Sequence, residues 1–560
     1  MASGPLDPEN DDVDVLIVGA GPSGLVLAVE LQRFGIRFRI IDREPQAVHE
    51  SRALAIQPRS LEVLAASGVA AELVELGRSA VQVSLHLGER ELPLTLYAGA
   101  VRDTAYPYLL FLSQAETERV LGRHLAEGGV PVERGCRLVA LQQDAGGVRC
   151  TIETGGATST VRARFVAGCD GAHSAVRHLT GLGFHGTAFP QTFGLADLEV
   201  DGLPADRVHA FLSAAGILLF FPIESPASWR MIVMLPTGAP DPPSLPTLQA
   251  AIARHTARPP RLHDPVWTAT FSVNSRHAAR FRAGRAFLVG DAAHIHSPAG
   301  AQGMNTGIQD AANLAWKLAF VLRGHAGREL LATYDTERRP VARQVIRLTN
   351  RAFRVATSIN PAVRFIRARI APRIAALVLG GRSRRGGQPA RGGRDERGLR
   401  AVVAALRTAA FRTVAELNIN YRHSPLSVEG TPALQHGPKA GRRLPDAAVQ
   451  LDGRETTLHQ ALAAPFVHVL LCGASDDWEQ VTRRLDRWTG VLRVHRLAAS
   501  DVPGALVDSS GDAFRRLGLT PGQVAQLVVR PDGHIGYRAA GFDPSGLALY
   551  LRRSMRLSSR

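Results

Sequence analysis

A chain of 560 residues is too long for one hydrophobic core and should divide into two or three domains. With 45% hydrophobic and 21% charged residues it has an ordinary globular composition, and no apolar run reaches the length of a membrane span. The formal net charge of +16 invites a nucleic-acid partner, yet the basic residues are almost all arginines scattered along the chain, with no recognition module beside them, so a solvated surface is expected.

The amino terminus, MASGPLDPENDDVD, is acidic and lacks the basic and apolar regions of a signal peptide, which points to a cytoplasmic protein. Cys136, Cys150, Cys169 and Cys472 lie far apart without a Cys-x-x-Cys pair, which argues against a zinc site and against a redox dithiol.

Residues 15–18 (VLIV) form a short apolar strand that runs into Gly19-Ala20-Gly21-Pro22-Ser23-Gly24, with GxGxxG spacing. A helix over residues 25–34 and a second strand over 37–41 follow, ending at Asp42-Arg43. Gly19 allows the tight turn, Gly21 lets backbone approach a pyrophosphate on the helix N-terminus, and Gly24 lets the helix pack on the sheet. Asp42, at the end of the second strand, suits a ribose 2′-hydroxyl. Ser113 then reads as the cap of a helix that carries Gln114, Glu116 and Glu118.

Residues 165–169 (FVAGC) read as a strand leading to Asp170-Gly171 and a helix with Ser174 and Arg177; Asp170 and Arg177 could pair across one turn of chain. Between residues 183 and 281, runs at 192–200, 216–223, 229–235 and 266–273 suggest strands, punctuated by turns at 224–226 and 237–238. The run Ala286-Phe287-Leu288-Val289 reads as a buried strand ending at Gly290-Asp291, where ligands of open α/β sheets bind. A Gly/Ser/Pro loop over 294–303 leads to a helix beginning near Met304-Asn305, whose Ile308, Ala311, Ala312, Ala315, Trp316 and Ala319 fall on one buried face. Its free N–H groups and positive dipole end point back at the loop, an arrangement suited to a flavin whose reduced ring is anionic.

GDAAHIHSPAGAQGMNTGIQDAANLAWKLA resembles the second FAD motif of the single-component, class A flavoprotein monooxygenases, the para-hydroxybenzoate and phenol hydroxylase relatives. The GxGxxG segment and the Asp170-Gly171 fingerprint fit the same family in order and separation. The resemblance implies an α/β fold: a Rossmann-like FAD-binding domain, an inserted mixed β-sheet substrate domain and a C-terminal thioredoxin-like domain. By that resemblance Asp291 binds the ribityl chain, the loop Pro298 to Asn305 (with Gly300, Gly303 and Met304) lies along the isoalloxazine, Arg52 meets the pyrophosphate and Gln114 touches the cofactor. Gly19, Gly21, Ser23, Gly24, Asp42, Arg43, Asp170 and Gly290 complete the expected cofactor shell, with no metal. Ala301 departs from the family, where many relatives have a second consecutive glycine, and that puts the loop's backbone flexibility in question.

The implied reaction takes electrons from NADPH or NADH, adds O2 to FAD as a C4a-hydroperoxide and transfers one oxygen atom to an electron-rich ring. No residue announces itself as catalytic base: His49, His294 and His296 lie near the motifs but read as surface or core. The inserted sheet should line the substrate pocket, with Phe211, Phe220, Phe221, Trp229 and Met231 as candidates, though each also reads as core.

The expected divisions are a discontinuous FAD domain (12–182 and 276–380), a substrate sheet (183–275 with part of 80–110), a basic loop and helical linker (381–419) and the thioredoxin-like domain (420–560). AGRRLPDA and VVRPDGHIGYR resemble the thioredoxin-like domain of the phenol and aromatic-polyketide hydroxylase branch. Without paired cysteines it cannot do thiol chemistry, so it reads as structural, or as a dimer contact in a protein that is a monomer or homodimer. That branch implies a bulky polycyclic phenol or quinone as substrate, with neither nucleic acid nor membrane as partner. Baeyer–Villiger oxidation, epoxidation and a non-catalytic FAD-binding role stay open. A flavin halogenase would need a lysine at the active site, and neither Lys317 nor Lys439 is placed for it.

Overall fold

A computed structural model describes residues 12–47, 53–80, 82–87, 90–95, 101–213, 215–223, 227–236, 238–297, 300–357, 360, 405 and 408–558. The expected contacts of His49, Arg52 and Pro298, the turn at 224–226 and the Gly/Arg run at 380–400 lie outside the described residues.

Five strands of the first sheet run parallel, in the spatial order Ala286–Leu288, Ala157–Gly168, Val13–Val18, Phe38–Asp42 and Glu133–Arg134. The run Val15–Val18 is apolar and buried at every residue, as expected of a parallel strand covered on both faces. The parallel order brings the ends of four strands together. Gly19 donates its N–H to Ile41 O at 2.8 Å, Cys169 to Val18 O at 2.7 Å and Val289 to Gly168 O at 2.9 Å. The segments carrying Gly19, Asp42, Asp170 and Asp291 therefore share one edge.

The helix Gly303–Leu322 departs from the sequence expectation. Instead of one buried face, every residue from Met304 to Val321 is buried. Its polar residues find partners inside the protein, two of which, Glu416 and Asp532, come from the far end of the chain.

The second sheet has eight strands, and two neighbours near one edge, Phe184–Asp201 and Arg261–Ala278, are each 18 residues long. Strands Gln82–Leu87 and Arg90–Thr95 extend it at one edge, and Val208–Ser213 is a strand the sequence reading did not mark. The two faces of this sheet have different neighbours. Trp229, Met231 and Val233 pack with Phe211, Phe220, Leu248 and Ile252, so they face the helix Leu245–Ala253. Arg230, Ile232 and Met234 take the opposite face by the two-residue period of a strand. There Arg230 reaches Ala53 O at 3.2 Å, and Phe221 meets Leu54, Ala55, Phe111 and Ala301.

The C-terminal sheet places Val467–Cys472 parallel to Leu492–Ala498 and antiparallel to Ala525–Val529, which pairs in turn with Ile535–Ala540. This is the strand pattern of a thioredoxin-like domain, and its one cysteine, Cys472, is a buried free thiol. The segments AGRRLPDA and VVRPDGHIGYR turn inward. Arg443 forms a bidentate pair with Glu62 at 2.8 Å for both bonds. Arg530 binds both oxygens of Glu337 at 2.7 and 2.9 Å, and Asn313 of the buried helix donates to Asp532 at 3.0 Å.

Candidate active site

The turn after Val13–Val18 is set by glycine. Gly19 has φ +102, and a Cβ there would lie 2.5 Å from Cys169 O; a Cβ on Gly24 would lie 1.9 Å from Gly19 O. Gly21 differs, since a Cβ there meets nothing within 4 Å. The backbone thus faces open space at the start of the helix Pro22–Arg33, which has no side-chain cap. Asp42 accepts from Ala20 N at 2.6 Å and Glu44 N at 2.9 Å, which fixes its carboxylate beside the loop. Arg43 is exposed and pairs with Glu44 at 3.0 Å.

Ser23 points away from that open space. Its Oγ fills the crossing where Gly290 and Gly307 would otherwise carry side chains, 2.3 and 2.2 Å from Cβ atoms built there. Gly307 was not singled out from the sequence, and it is what lets the helices Pro22–Arg33 and Gly303–Leu322 meet at the strand ends. Asp291 is exposed at this edge, just after Ala286–Leu288.

Asn305, fully buried, is a brace. Its Oδ1 accepts from Gln57 N at 2.8 Å, and its Nδ2 donates to Ala55 O at 2.8 Å and Ala301 O at 2.7 Å. Gln114 grips the same segment by accepting from Ala53 N at 3.3 Å, while its amide donates to Glu118 at 2.7 Å. Burial pushes the Glu118 carboxyl up to about 7. Ser113 caps this helix by accepting from Glu116 N at 3.2 Å. In the loop, Gly300 and Ala301 have φ of +86 and +53. The family's missing glycine thus falls on a left-handed residue, where a Cβ costs roughly 1 kcal/mol.

Asp170 and Arg177 do not form the expected pair. The carboxylate accepts from Ala175 N at 2.6 Å and Val176 N at 3.2 Å, capping the short helix Ala175–Leu179. Arg177 donates to Ala292 O at 3.0 Å and Ala172 O at 2.7 Å, with its guanidinium 4.0 Å over the Phe184 ring. A cavity of about 330 Å³ opens beside it, lined among others by His173, His178, Asn274 and Arg276.

The histidines separate. His294 is a core residue bonded to Asp310 at 2.6 Å, and Arg338 binds the other oxygen of Asp310 at 2.5 Å. His296 Nδ1 lies 2.9 Å from Ser297 O, a pure acceptor, so that nitrogen carries the proton. Burial pulls His296 down to about 4. Lys317 is wholly buried against Glu337 at 2.7 Å, which removes it from the oxygen-transfer chemistry of a halogenase.

Of the five substrate candidates, only Phe221 is on the face toward Ala55 and Ala301. Phe211, Phe220, Trp229 and Met231 are core beneath the helix Leu245–Ala253. The reason is parity: along Trp229–Met234 the alternate residues Arg230, Ile232 and Met234 take the other face, where Arg230 reaches Ala53 O and Ile232 and Met234 pack beside Phe193 and Phe353.

The residues present fit FAD. An uncapped helix start opens beside Gly21, and several buried polar atoms at the strand ends and in the loop lack partners: Asp170 Oδ1, His294 Nδ1, His296 Nε2 and Ser297 Oγ. Among the described residues no cluster could hold a metal ion, and no helix is long and apolar enough to cross a membrane.

Comparison with known proteins agrees. Residues 12–349 match the family described as FAD binding domain, and residues 437–555 match the aromatic-ring hydroxylase C-terminal domain. The chain is 35% identical to 6-methylpretetramide 4-monooxygenase of Streptomyces rimosus over 95% of its own length and 91% of the relative's. It is 31% identical to the 12-dehydrotetracycline 5-monooxygenase/anhydrotetracycline 6-monooxygenase of Streptomyces rimosus subsp. rimosus, covering 94% and 95% of the two chains. Among solved structures, the anhydrotetracycline hydroxylase OxyS from Streptomyces rimosus superposes with a TM-score of 0.73 at 29% identity, covering 97% and 98% of the two chains. The chain therefore belongs to the FAD-dependent aromatic-ring monooxygenases, in the branch that carries a C-terminal thioredoxin-like domain.

Proposed function

We propose that this flavoprotein monooxygenase hydroxylates a bulky polycyclic phenol or quinone of the aromatic-polyketide type, with NADPH as electron donor and O2 as cosubstrate. The observation that carries the substrate class is similarity running through both matched domains to enzymes named for tetracycline precursors, at 35% and 31% identity.

Bound FAD supplies the redox chemistry: it accepts hydride from the nicotinamide, activates O2 and delivers one oxygen atom. The chain supplies placement. The N–H groups opening the helix Pro22–Arg33, with Gly19, Gly21 and Gly24 clearing the approach, receive the pyrophosphate, and Asp42 receives the ribose. Asp291 and the Gly300–Asn305 loop receive the ribityl chain and ring. The N–H groups of Gly303 and Met304, in the first turn, aim the positive end of the helix at negative charge on the ring. Asn305 fixes this geometry through backbone atoms, so its role is bracing. Substrate would lie on the sheet face bearing Leu219, Phe221, Ile232 and Met234, opposite that loop. Apolar lining there keeps water from the oxygen-transfer step.

The cavity beside the Asp170-Gly171 fingerprint supports NADPH over NADH, because His173, Arg177, His178 and Arg276 gather basic groups around a space that suits a phosphate. The test is a screen of purified protein against aromatic polyketides with each nicotinamide, with NMR of the product. Substrate-dependent NADPH consumption and a new C–OH are expected. A lactone or an epoxide would overturn hydroxylation, and NADPH consumption without oxygenated product from any of them would overturn the substrate class.

A further inference from the structure

Glu416 is an acid in an unusual place. It follows the helical residues 408–414, is 2% exposed, and has φ +60, a left-handed conformation that a non-glycine residue adopts at a cost. Neighbours hold it there: Gln302 Nε2 donates to Val414 O at 2.8 Å, and Arg59 N donates to Ala415 O at 3.4 Å. The carboxyl group reaches the opening turns of the helix Gly303–Leu322, where it accepts from Thr306 Oγ1 at 3.2 Å and from the Gln309 amide. Both donors are neutral. The charged groups packed around it are already matched. Arg338 places its Nε on Asp310 at 2.5 Å, NH1 on Tyr421 Oη at 2.9 Å and NH2 on Thr306 O at 3.0 Å. Asp310 also takes His294, Arg412 pairs with Asp103, and Arg59 pairs with Glu62. A carboxylate at this position would be a buried charge with no cation of its own.

We propose that Glu416 is carried in the folded protein as the neutral carboxylic acid, and that this proton keeps the first turn of the Gly303–Leu322 helix electropositive, making Glu416 a positioning residue for the reduced FAD ring. The inference rests on placing that ring at Gly300–Asn305. Burial pushes the group up to about 8, against the pull of Arg338 and its two hydrogen bonds, while Asp310 pushes the same way as burial. The folded value lies above the ordinary 4.5, so the acid's contribution to stability is complete below pH 4.5 and is lost as pH rises through about 8. Above that pH an ionised Glu416 sets a negative charge behind the helix end that should stabilise the anionic ring. At an effective dielectric of about 20, one charge at a separation on the order of 10 Å shifts the oxidised/reduced equilibrium of an anionic group by roughly tenfold.

The experiment compares the FAD-loaded full chain with its Glu416→Gln variant. Midpoint potentials are measured at about pH 6.5 and about pH 9.5, on either side of the transition. The wild type should fall further than the variant by roughly tenfold in equilibrium constant, about 30 mV for a two-electron couple, and the variant should gain thermal stability relative to wild type as pH rises. Infrared spectra of the wild type should show the carbonyl stretch of a neutral acid that disappears above about pH 8, later than that of Glu118 at about 7, and that is missing from Glu416→Gln; this readout needs no FAD. Absence of that band overturns the proposal while leaving the FAD placement intact. A titrating band with parallel potentials shows that the ring is not at this helix end, and overturns the proposal from that side.

Discussion

Replacing Arg530 with Met should undock the C-terminal domain and loosen the cofactor helix with it. Arg530 is fully buried and binds Glu337 at 2.7 and 2.9 Å and Asp532 at 3.1 and 2.5 Å, with its guanidinium 5.3 Å over Trp316 and 5.2 Å over Tyr421. Lys317, bonded to Glu337 and Asn313 at 2.7 Å each, completes a cluster of two cations and two carboxylates with no net charge. Methionine fills much of the volume but leaves one uncompensated negative charge in the interior. Breaking one side of such a buried pair costs about 4 kcal/mol, nearly a thousandfold in the folded-to-unfolded ratio. Adding Asp532→Asn restores neutrality, so the double variant should recover about 2 kcal/mol. The assay is denaturant unfolding of wild type, both single variants and the double variant, followed by bound-flavin fluorescence and by far-UV circular dichroism. If Arg530→Met changes stability by less than about 1 kcal/mol, the cluster does not hold the two parts together. If the double variant is no better than the single one, net charge is not the reason.

Gly21→Ala should leave the fold intact, since its Cβ meets nothing, but weaken FAD binding by blocking the backbone's approach, whereas Gly24→Ala should not fold, its Cβ being 1.9 Å from Gly19 O; FAD titration and circular dichroism separate the two. Ile232→Ala should raise KM for the aromatic substrate with under about 1.5 kcal/mol lost in stability, whereas Met231→Ala, on the other face of the same strand and 0% exposed, should cost about 3 kcal/mol of stability and leave KM unchanged. Acid should unfold the protein steeply: burial opposes but arginine partners prevail at Glu62 and Asp103, and Arg530 and Lys317 at Glu337, holding all three at about 2. Because these folded values are depressed, the stability they confer is complete above about pH 4.5 and lost as pH falls toward 2. Thermal midpoints across that window should drop, and less so in an Arg443→Leu, Glu62→Leu double variant.

The nucleotide end of the fold was legible because backbone demands and chemistry coincide there. At Gly19 and Gly24 only a glycine fits, and the acids at 42, 170 and 291 follow strands whose apolar runs end just before them. Asp170 and Arg177 show where that reading ran out. A pair spaced by one turn suggests an ion pair, but whether the acid caps the helix or meets the arginine depends on the carbonyls of Ala172 and Ala292, one of which is far away in sequence. The substrate sheet was readable as strands but not as faces, because both faces are covered and alternation between polar and apolar residues is lost. Phe220 and Phe221 are adjacent aromatics with opposite neighbours. Glu416 lies outside every motif, and Gly307, though inside one, acquires meaning only from the Ser23 side chain that packs on it.

The cofactor helix explains why the C-terminal domain is present in a protein that does no thiol chemistry. Read alone, Asn305, Gln309, Asp310, Asn313 and Lys317 are the polar side of an amphipathic helix, and a free helix would turn that side to water. Here the same residues are buried, and each has a partner from elsewhere: Gln57 for Asn305, Glu416 for Gln309, Arg338 for Asp310, Asp532 for Asn313 and Glu337 for Lys317. Two of those partners lie beyond residue 400, and Arg530 and Ser424, also beyond it, hold Glu337 in place. A helix gains rigidity from being held along its whole length, and polar contacts specify its rotation where apolar packing alone would leave it free to slip. The thioredoxin-like fold then serves through its surface: a sheet whose hairpin delivers Arg530 and Asp532 to the helix Gly303–Leu322. A chain lacking residues 420–560 should fail to retain FAD even at concentrations where any dimer would form, and retention should return when the missing part is supplied in trans.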